Sequence, residues 1–464
     1  MDNVVVCDLI FLVLFTIFVI YFIRKNKSGL SREGIIYMYR TQAGVRAIEK
    51  FSKKYGRFLH SIKHFVIFIG FVLMAGMVWM LGQTLALYMR HPEITQNIKA
   101  PPIAPLIPYF PKLFGMSSFF PPFYFVYFIV AIAIVAIVHE FSHGIFMRLF
   151  KIKIKSTGLV FLGPILGAFV EQNEKSMNNK KRSEQMTVLA AGVFANVIFT
   201  LIFYALYVGF FFMAFTPSGY IFTSYGLAEV PLSSITGFEE AGNFTKVLTE
   251  NQVFYLDEGL SIQREADYQK EMNLSVLVAY SDAPAVRSQM AGAIIRGDNV
   301  KIKNNEDLKK FLQTKEPGDA ATIVTQTQDG TNTYEITLGE HPEDSTRAYL
   351  GVGHRDPQPN GFVQKFLSWF MSFREHSTYY EPNWNSEAVF FVYHFLWWIM
   401  IINLLVALFN MLPVGMLDGG RFFYLAILSV TKSESAAARL YKLMGYAILA
   451  SFVIMMMYWL IGLF

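Results

Sequence analysis

Six stretches of about 20 or more mostly apolar residues punctuate the chain, the length a helix needs to cross a bilayer core. They are residues 4–23, 65–89, 123–147, 188–215, 389–412 and 444–464. Hydrocarbon offers no partner for backbone polar groups, so runs of this kind are confined to helices. The 464 residues are 53% hydrophobic and only 16% charged, a composition that excludes an ordinary soluble enzyme. The expected fold is an α-helical polytopic membrane protein of about six transmembrane helices. The first stretch has no basic run before it and no small-residue cleavage site after it, so it reads as a retained anchor. It holds the one cysteine, Cys7, which leaves no disulfide to form within the chain.

Charge placement orients the spans. Arg24, Lys25, Lys27, Arg32, Arg40, Arg46, Lys50, Lys53, Lys54 and Arg57 crowd the segment after the first stretch. Arg148, Lys151, Lys153, Lys155, Lys180, Lys181 and Arg182 crowd the segment after the third. Basic loops face the cytoplasm. A multi-pass protein of the cell membrane is expected, with its N-terminus and the region between the fourth and fifth spans outside. Juxtamembrane charge beside anionic lipid accounts for these basic runs, and no nucleic-acid partner is expected.

Residues 216–387 are different, with charges restored and apolar runs shortened. Their first part carries few signals. From about residue 274, "SVLVAY" reads as a strand. Asn305 reads as the cap of a short helix over 306–312, with Leu308, Phe311 and Leu312 on one face. "PGD" turns into the alternating "AATIVTQT", and "DGTN" turns into "TYEITL" as a hairpin. Ala283-Pro284-Ala285, Ala291-Gly292, Gly297-Asp298, Asp307-Leu308 and Pro317-Gly318-Asp319, in this order, resemble the PDZ domains of bacterial and archaeal proteases. That resemblance implies an extracytoplasmic β-rich PDZ-like domain at about 270–340, and a peptide ligand added as an edge strand. A structural insert without a ligand is the alternative. Two glycosylation-type sequons, at Asn243 and Asn273, are too short to carry an argument.

The third apolar stretch contains His139, Glu140 and His143 as HExxH. On a helix the histidines at i and i+4 are neighbours, so two imidazoles can take one zinc ion while Glu140 accepts a proton from the attacking water. Two buried histidines bonded to backbone or to each other are the bland alternative, set against the cost of intramembrane ionisable groups, which mark function by default. A catalytic zinc needs a third protein ligand, and Glu171, His394 and Asp418 are the candidates. His139 lies about 25 Å along its helix from Pro122 at about 1.5 Å per residue, in the cytoplasmic half. Asp418 follows a span that runs inward, at matching depth. His394 sits toward the opposite surface. Asp418 is therefore the physical choice. Gly419 and Gly420 permit an irregular backbone beside it.

His139-Glu140-Phe141-Ser142-His143, and Asn410 through Pro413 to Asp418-Gly419-Gly420 as N-x-x-P-x-x-x-x-D-G, resemble the paired motifs of the site-2 protease family of intramembrane zinc metalloproteases. Gly192 through Asn196 is similar to the family's glycine-to-asparagine motif, and residues 156–174 to its membrane-associated β-hairpin. The resemblance covers about residues 120–464. It implies one Zn²⁺ per chain held by His139, His143 and Asp418, with Glu140 as the catalytic base. It also implies that Asn196 and Asn410 position substrate backbone or stabilise the oxyanion, where interhelical hydrogen bonding is the simpler role. Pro413 is expected to break the helix so that Asp418 turns inward.

The expected organisation follows. Residues 1–119 are an N-terminal two-span extension with a basic cytoplasmic segment. Residues 120–215 and 388–464 are the two halves of a protease core, and 216–387 is the extracytoplasmic region. The expected activity is hydrolysis within or next to transmembrane segments of membrane proteins, as in regulated intramembrane proteolysis. Its substrates are expected to be single-span and pre-trimmed. The alternative is a catalytically inactive PDZ-containing membrane adaptor. A metalloprotease acting at the cytosolic face would need a soluble third ligand, and a metal transporter would need polar residues along spans that lack them.

Overall fold

The computed structural model describes residues 3–26, 29–91, 101–102, 106–257, 276–327, 329–354 and 361–462. Asn273 and the opening of the expected 270–340 segment lie outside them. The chain forms two compact units, Met1–Phe211 with Glu387–Phe464, and Phe212–Ser386.

Among the described residues the first unit holds six helices long and apolar enough to cross a membrane, those of a multi-pass membrane protein. They are α1 (Asn3–Lys25), α2 (Ala43–Arg90), α3 (Phe125–Leu149), α5 (Arg182–Ala214), α7 (Ser386–Asn410) and α9 (Glu434–Gly462). The short α4 (Glu174–Asn178) precedes α5, and α8 (Asp418–Thr431) stands between α7 and α9. Helix α2 starts 22 residues before the apolar stretch that announces it, because Ile48, Ser52, Leu59 and Val66 already form a buried stripe at helical spacing. That stripe joins Ile145, Phe146, Val193 and Phe422 in the main core of the unit.

The expected hairpin is present as β3 (Ile154–Leu162) and β4 (Ile165–Gln172). Sequence did not announce what pairs with it. The N-terminal segment contributes β1 (Leu30–Glu33) and β2 (Ile36–Thr41), and β2 runs antiparallel to β3 from Tyr37 opposite Phe161 to Thr41 opposite Thr157. The result is one sheet ordered β1-β2-β3-β4. The β3 edge is thus taken by the chain itself, and β4 ends the sheet alongside α3.

The extension also reaches the other end of α3. Asp8 of α1 is buried at 3% exposure. Its Oδ2 accepts from Phe125 N at 2.9 Å and from the Tyr109 hydroxyl at 2.6 Å, and its Oδ1 accepts from Val126 N at 2.9 Å. Phe125 and Val126 open α3, so a carboxylate from another helix satisfies the unpaired N–H groups and meets the positive end of the helix dipole.

In the second unit, five strands in the order Leu227–Pro231, Val276–Ser281, Val253–Asp257, Phe244–Thr249 and Ile235–Ala241 form one antiparallel sheet. A second sheet runs Gly330–Thr337, Ala320–Thr327, Ala293–Gly297, Phe215–Ile221 and Thr378–Pro382, with Val300–Lys301 beside Ala293–Gly297. Helix α6 (Asn305–Gln313) seals the core of this sheet with Leu308 and Phe311. Its cap is Asn304 rather than Asn305: Asn304 is extended and its Oδ1 accepts from Asp307 N at 3.0 Å. The Lys315 ammonium and the Thr322 N–H hold the Asp298 carboxyl below its usual range. A groove of about 450 Å³ between α6 and the strand Asp344–Tyr349 is lined by Lys309, His341 and Arg347.

Replacing Asp8 by Asn keeps its volume but removes the charge and turns one accepting oxygen into an NH2 group that cannot accept from an N–H, at a cost of about 1–3 kcal/mol. The Asp8→Asn protein should therefore unfold at a lower temperature in detergent than wild type; equal midpoints would show that the clamp on α3 carries no stability.

Candidate metal centre

Helix α3 places His139 and His143 one turn apart, their rings edge to face with centroids 4.6 Å apart. Both are buried, at 7% and 6% exposure. Asp418, the first residue of α8, brings Oδ2 to 3.1 Å from His139 Nε2 and 3.2 Å from His143 Nε2, and the two Nε2 atoms are 2.9 Å apart. Zinc bonds of about 2.0–2.2 Å in a tetrahedron give ligand–ligand edges of about 3.3 Å. The three separations fall within a few tenths of an ångström of that value. Two imidazole nitrogens and one carboxylate oxygen are a donor set that zinc accepts, and they leave one position open. Among the described residues these three side chains are the group that fits a metal ion.

The other two candidates lie elsewhere. Glu171 is engaged on the sheet, accepting from Lys155 Nζ at 3.1 Å and Ser156 Oγ at 2.9 Å, with Arg40 Nε at 3.6 Å. The Ser156 hydroxyl first, then these cations, hold its carboxyl below the usual range. His394 stacks on Phe390 with ring centroids 5.8 Å apart.

One stripe of α5 supports the two imidazoles. His143 Nδ1 lies 2.7 Å from the Val188 carbonyl, which accepts its N–H and leaves Nε2 free to ligate. Asn196 Nδ2 lies 3.2 Å from His139 Nδ1. Between them on the same face is Gly192, where a Cβ would stand 2.4 Å from His143 Nε2 and 2.6 Å from His139 Cε1. Only a glycine lets α5 approach the rings this closely.

The Asp418 side is built from a loop. Helix α7 ends at the half-buried Asn410, and the buried Pro413 sits in the turn that follows. A Cβ on Gly419 would meet the Met411 carbonyl at 2.4 Å, and one on Gly420 the Val414 oxygen at 2.3 Å, so both glycines seat α8 against this loop. One turn after Asp418, Arg421 donates to Glu174 Oε2 at 3.2 Å, Asn178 Oδ1 at 2.6 Å and Gln185 Oε1 at 3.3 Å. That fork ties α8 to α4 and to the start of α5. Glu140 lies beside the ligands in sequence, and its Oε2 accepts from Val170 N of β4 at 2.9 Å.

Sequence reasoning missed four of these contributions. Val188 and Val170 act through backbone atoms, which no residue type announces. Arg421 is signalled only by its position after Asp418-Gly419-Gly420. Asp8 is a single carboxylate in an apolar run, the kind of residue that marks a function or a partner.

Replacing Gly192 by Ala drives a methyl group into both imidazoles while favouring the helix by about 0.8–1 kcal/mol. The Gly192→Ala protein should fold and yet lose most of its bound metal, measured by atomic absorption on purified protein. Full metal content would refute the close approach of α5.

A family model described as Peptidase family M50 matches residues 127–455, a span that holds His139 through Asp418. The chain is also similar to an uncharacterized protein of Methanocaldococcus jannaschii, 31% identical over 193 residues, which are 39% of this chain and 46% of that protein. The chain thus spans about half the length of that curated relative. With the family match covering well over half of its residues, the chain belongs to peptidase family M50, the family of membrane metalloproteases of the site-2 protease type.

Proposed function

We propose that this protein is an intramembrane zinc metalloprotease that hydrolyses peptide bonds within or next to the transmembrane segments of other membrane proteins, in regulated intramembrane proteolysis. The observation that carries the reading is the convergence of His139, His143 and Asp418 between helices long enough to span a bilayer, with Glu140 beside them. One zinc ion would be held by those three side chains. Bound zinc supplies Lewis-acid chemistry, polarising a peptide carbonyl and acidifying a water. The Glu140 carboxylate takes the proton of the attacking water and delivers it to the leaving amine. The hydrogen bond from Val170 N holds that carboxylate in place against β4. In this reading Asn410, at the end of α7, would meet substrate backbone or the oxyanion.

A substrate helix must unwind before attack, because its carbonyls are bonded internally. The outer edge of β4 is the natural place to hold the opened segment as an added strand, since β2 already covers β3. Backbone alternation turns Leu166 and Ala168 the same way as Val170, so Leu166 and Ala168 would offer N–H and C=O groups to that edge and Val170 its carbonyl, its N–H being held by Glu140. The basic segments after α1 and α3 support a cytoplasmic location for those segments, an extracytoplasmic second unit, and a site nearer the cytoplasmic face. In the second unit, the groove beside α6 would take an extended peptide, as a PDZ-like domain does, and the unit would admit only single-span substrates already trimmed outside.

Two experiments test this. In proteoliposomes with a single-span substrate, Glu140→Gln should retain zinc and lose about 10²–10⁴-fold in cleavage rate; cleavage at the wild-type rate would remove Glu140 from the chemistry. The second unit begins and ends on paired strands, with Phe215 opposite Pro382 and Gly219 opposite Tyr379, so a short turn can replace residues 218–379. That variant should cleave substrates with large outer domains that wild type rejects. An unchanged substrate range would argue against the gate.

A further inference from the structure

We propose that Asn196 is a positioning residue for His139, its Oδ1 accepting the imidazole Nδ1–H when Nε2 is given to the metal. The inference rests on the metal-site reading above. A neutral imidazole that ligates through Nε2 must keep its proton on Nδ1, and that proton needs an acceptor. For His143 the acceptor is the Val188 carbonyl at 2.7 Å. For His139 the group facing Nδ1 is the Asn196 amide, 3.2 Å away. Asn196 has no exposed surface, and its Oδ1 is buried without a hydrogen-bond partner.

With Nδ2 toward the ring, the amide suits a His139 whose proton sits on Nε2 and is donated to Asp418 Oδ2 at 3.1 Å. A half-turn of the amide about its Cβ–Cγ bond brings the unpartnered Oδ1 to Nδ1, and the ring is then held with Nε2 free to ligate. An amide serves both arrangements, whereas a carboxylate serves only the second and an aliphatic side chain neither. Val188, Gly192 and Asn196 recur every fourth residue along α5, so a single helix face supplies the partner of one ring, the space for both, and the partner of the other. A fully buried side chain that directs its amide at His139 is placed to orient a ligand.

The test is zinc affinity of the full chain in detergent, measured by competition with a chromogenic chelator, for wild type, Asn196→Ala, Asn196→Asp and His143→Ala. Thermal unfolding is measured on the same zinc-free samples. Asn196→Ala should bind zinc about 10–100-fold more weakly. Asn196→Asp, which keeps the acceptor, should stay within a few-fold of wild type and separate this role from a purely structural one. Wild-type affinity in Asn196→Ala, or a folded Asn196→Asp as weak as Asn196→Ala, would overturn the proposal. If His143→Ala abolishes binding in that experiment, the metal-site reading stands and Asn196 alone is reassigned. If zinc binding is indifferent to His143, both fall together.

Discussion

Ionisable side chains persist inside an apolar helical bundle only where each has a partner, because an unpaired one costs several kcal/mol. Here two imidazoles and a carboxylate are mutual partners within 3.2 Å, drawn from α3 and α8, which lie far apart in the chain. The rest of the first unit is arranged to keep them so. Helix α5 closes on the rings at Gly192, the loop before α8 is compressed against Gly419 and Gly420, and Arg421 anchors α8 to the base of α5. The same polar triad that would be a liability in a bare core becomes a ligand set once a cation shares its charge.

The N-terminal segment is part of this arrangement and not an appendage. Through Asp8 it closes the first turn of the helix that carries the histidines, and through β2 it completes the sheet whose last strand donates to Glu140. The start of α3, and the sheet that meets it at Glu140, therefore both involve residues outside 120–464. By occupying the β3 edge, β2 also leaves β4, whose Val170 N–H meets Glu140, as the strand at the opposite edge of the sheet.

Much of this is readable from residues, for physical reasons that differ from place to place. The six spans are legible because length and hydropathy are sufficient in a bilayer. The His139–His143 neighbourhood is legible because helical period fixes it, and the choice of Asp418 over His394 follows from depth along two helices. The β3–β4 hairpin shows as an apolar pair of runs around Gly163, whose φ of +59° marks the turn. The strands of residues 30–41 are hidden because Arg32, Glu33 and Arg40 interrupt the alternation in a short segment. The strands Leu227–Pro231 and Ile235–Ala241 are hidden because they are largely exposed, and in the second Glu239 and Glu240 fall on opposite faces. The cap of α6 slips by one residue because Asn304 and Asn305 are chemically identical, and only backbone conformation chooses between them.

The central claim is that one metal ion is shared by His139, His143 and Asp418. Zinc-edge X-ray absorption on the zinc-loaded protein addresses it directly. The account predicts a shell of nitrogen and oxygen donors at about 2.0–2.2 Å, with the outer-ring scattering of two imidazoles and no sulfur. A sulfur shell near 2.3 Å, or scattering without histidine, would contradict it.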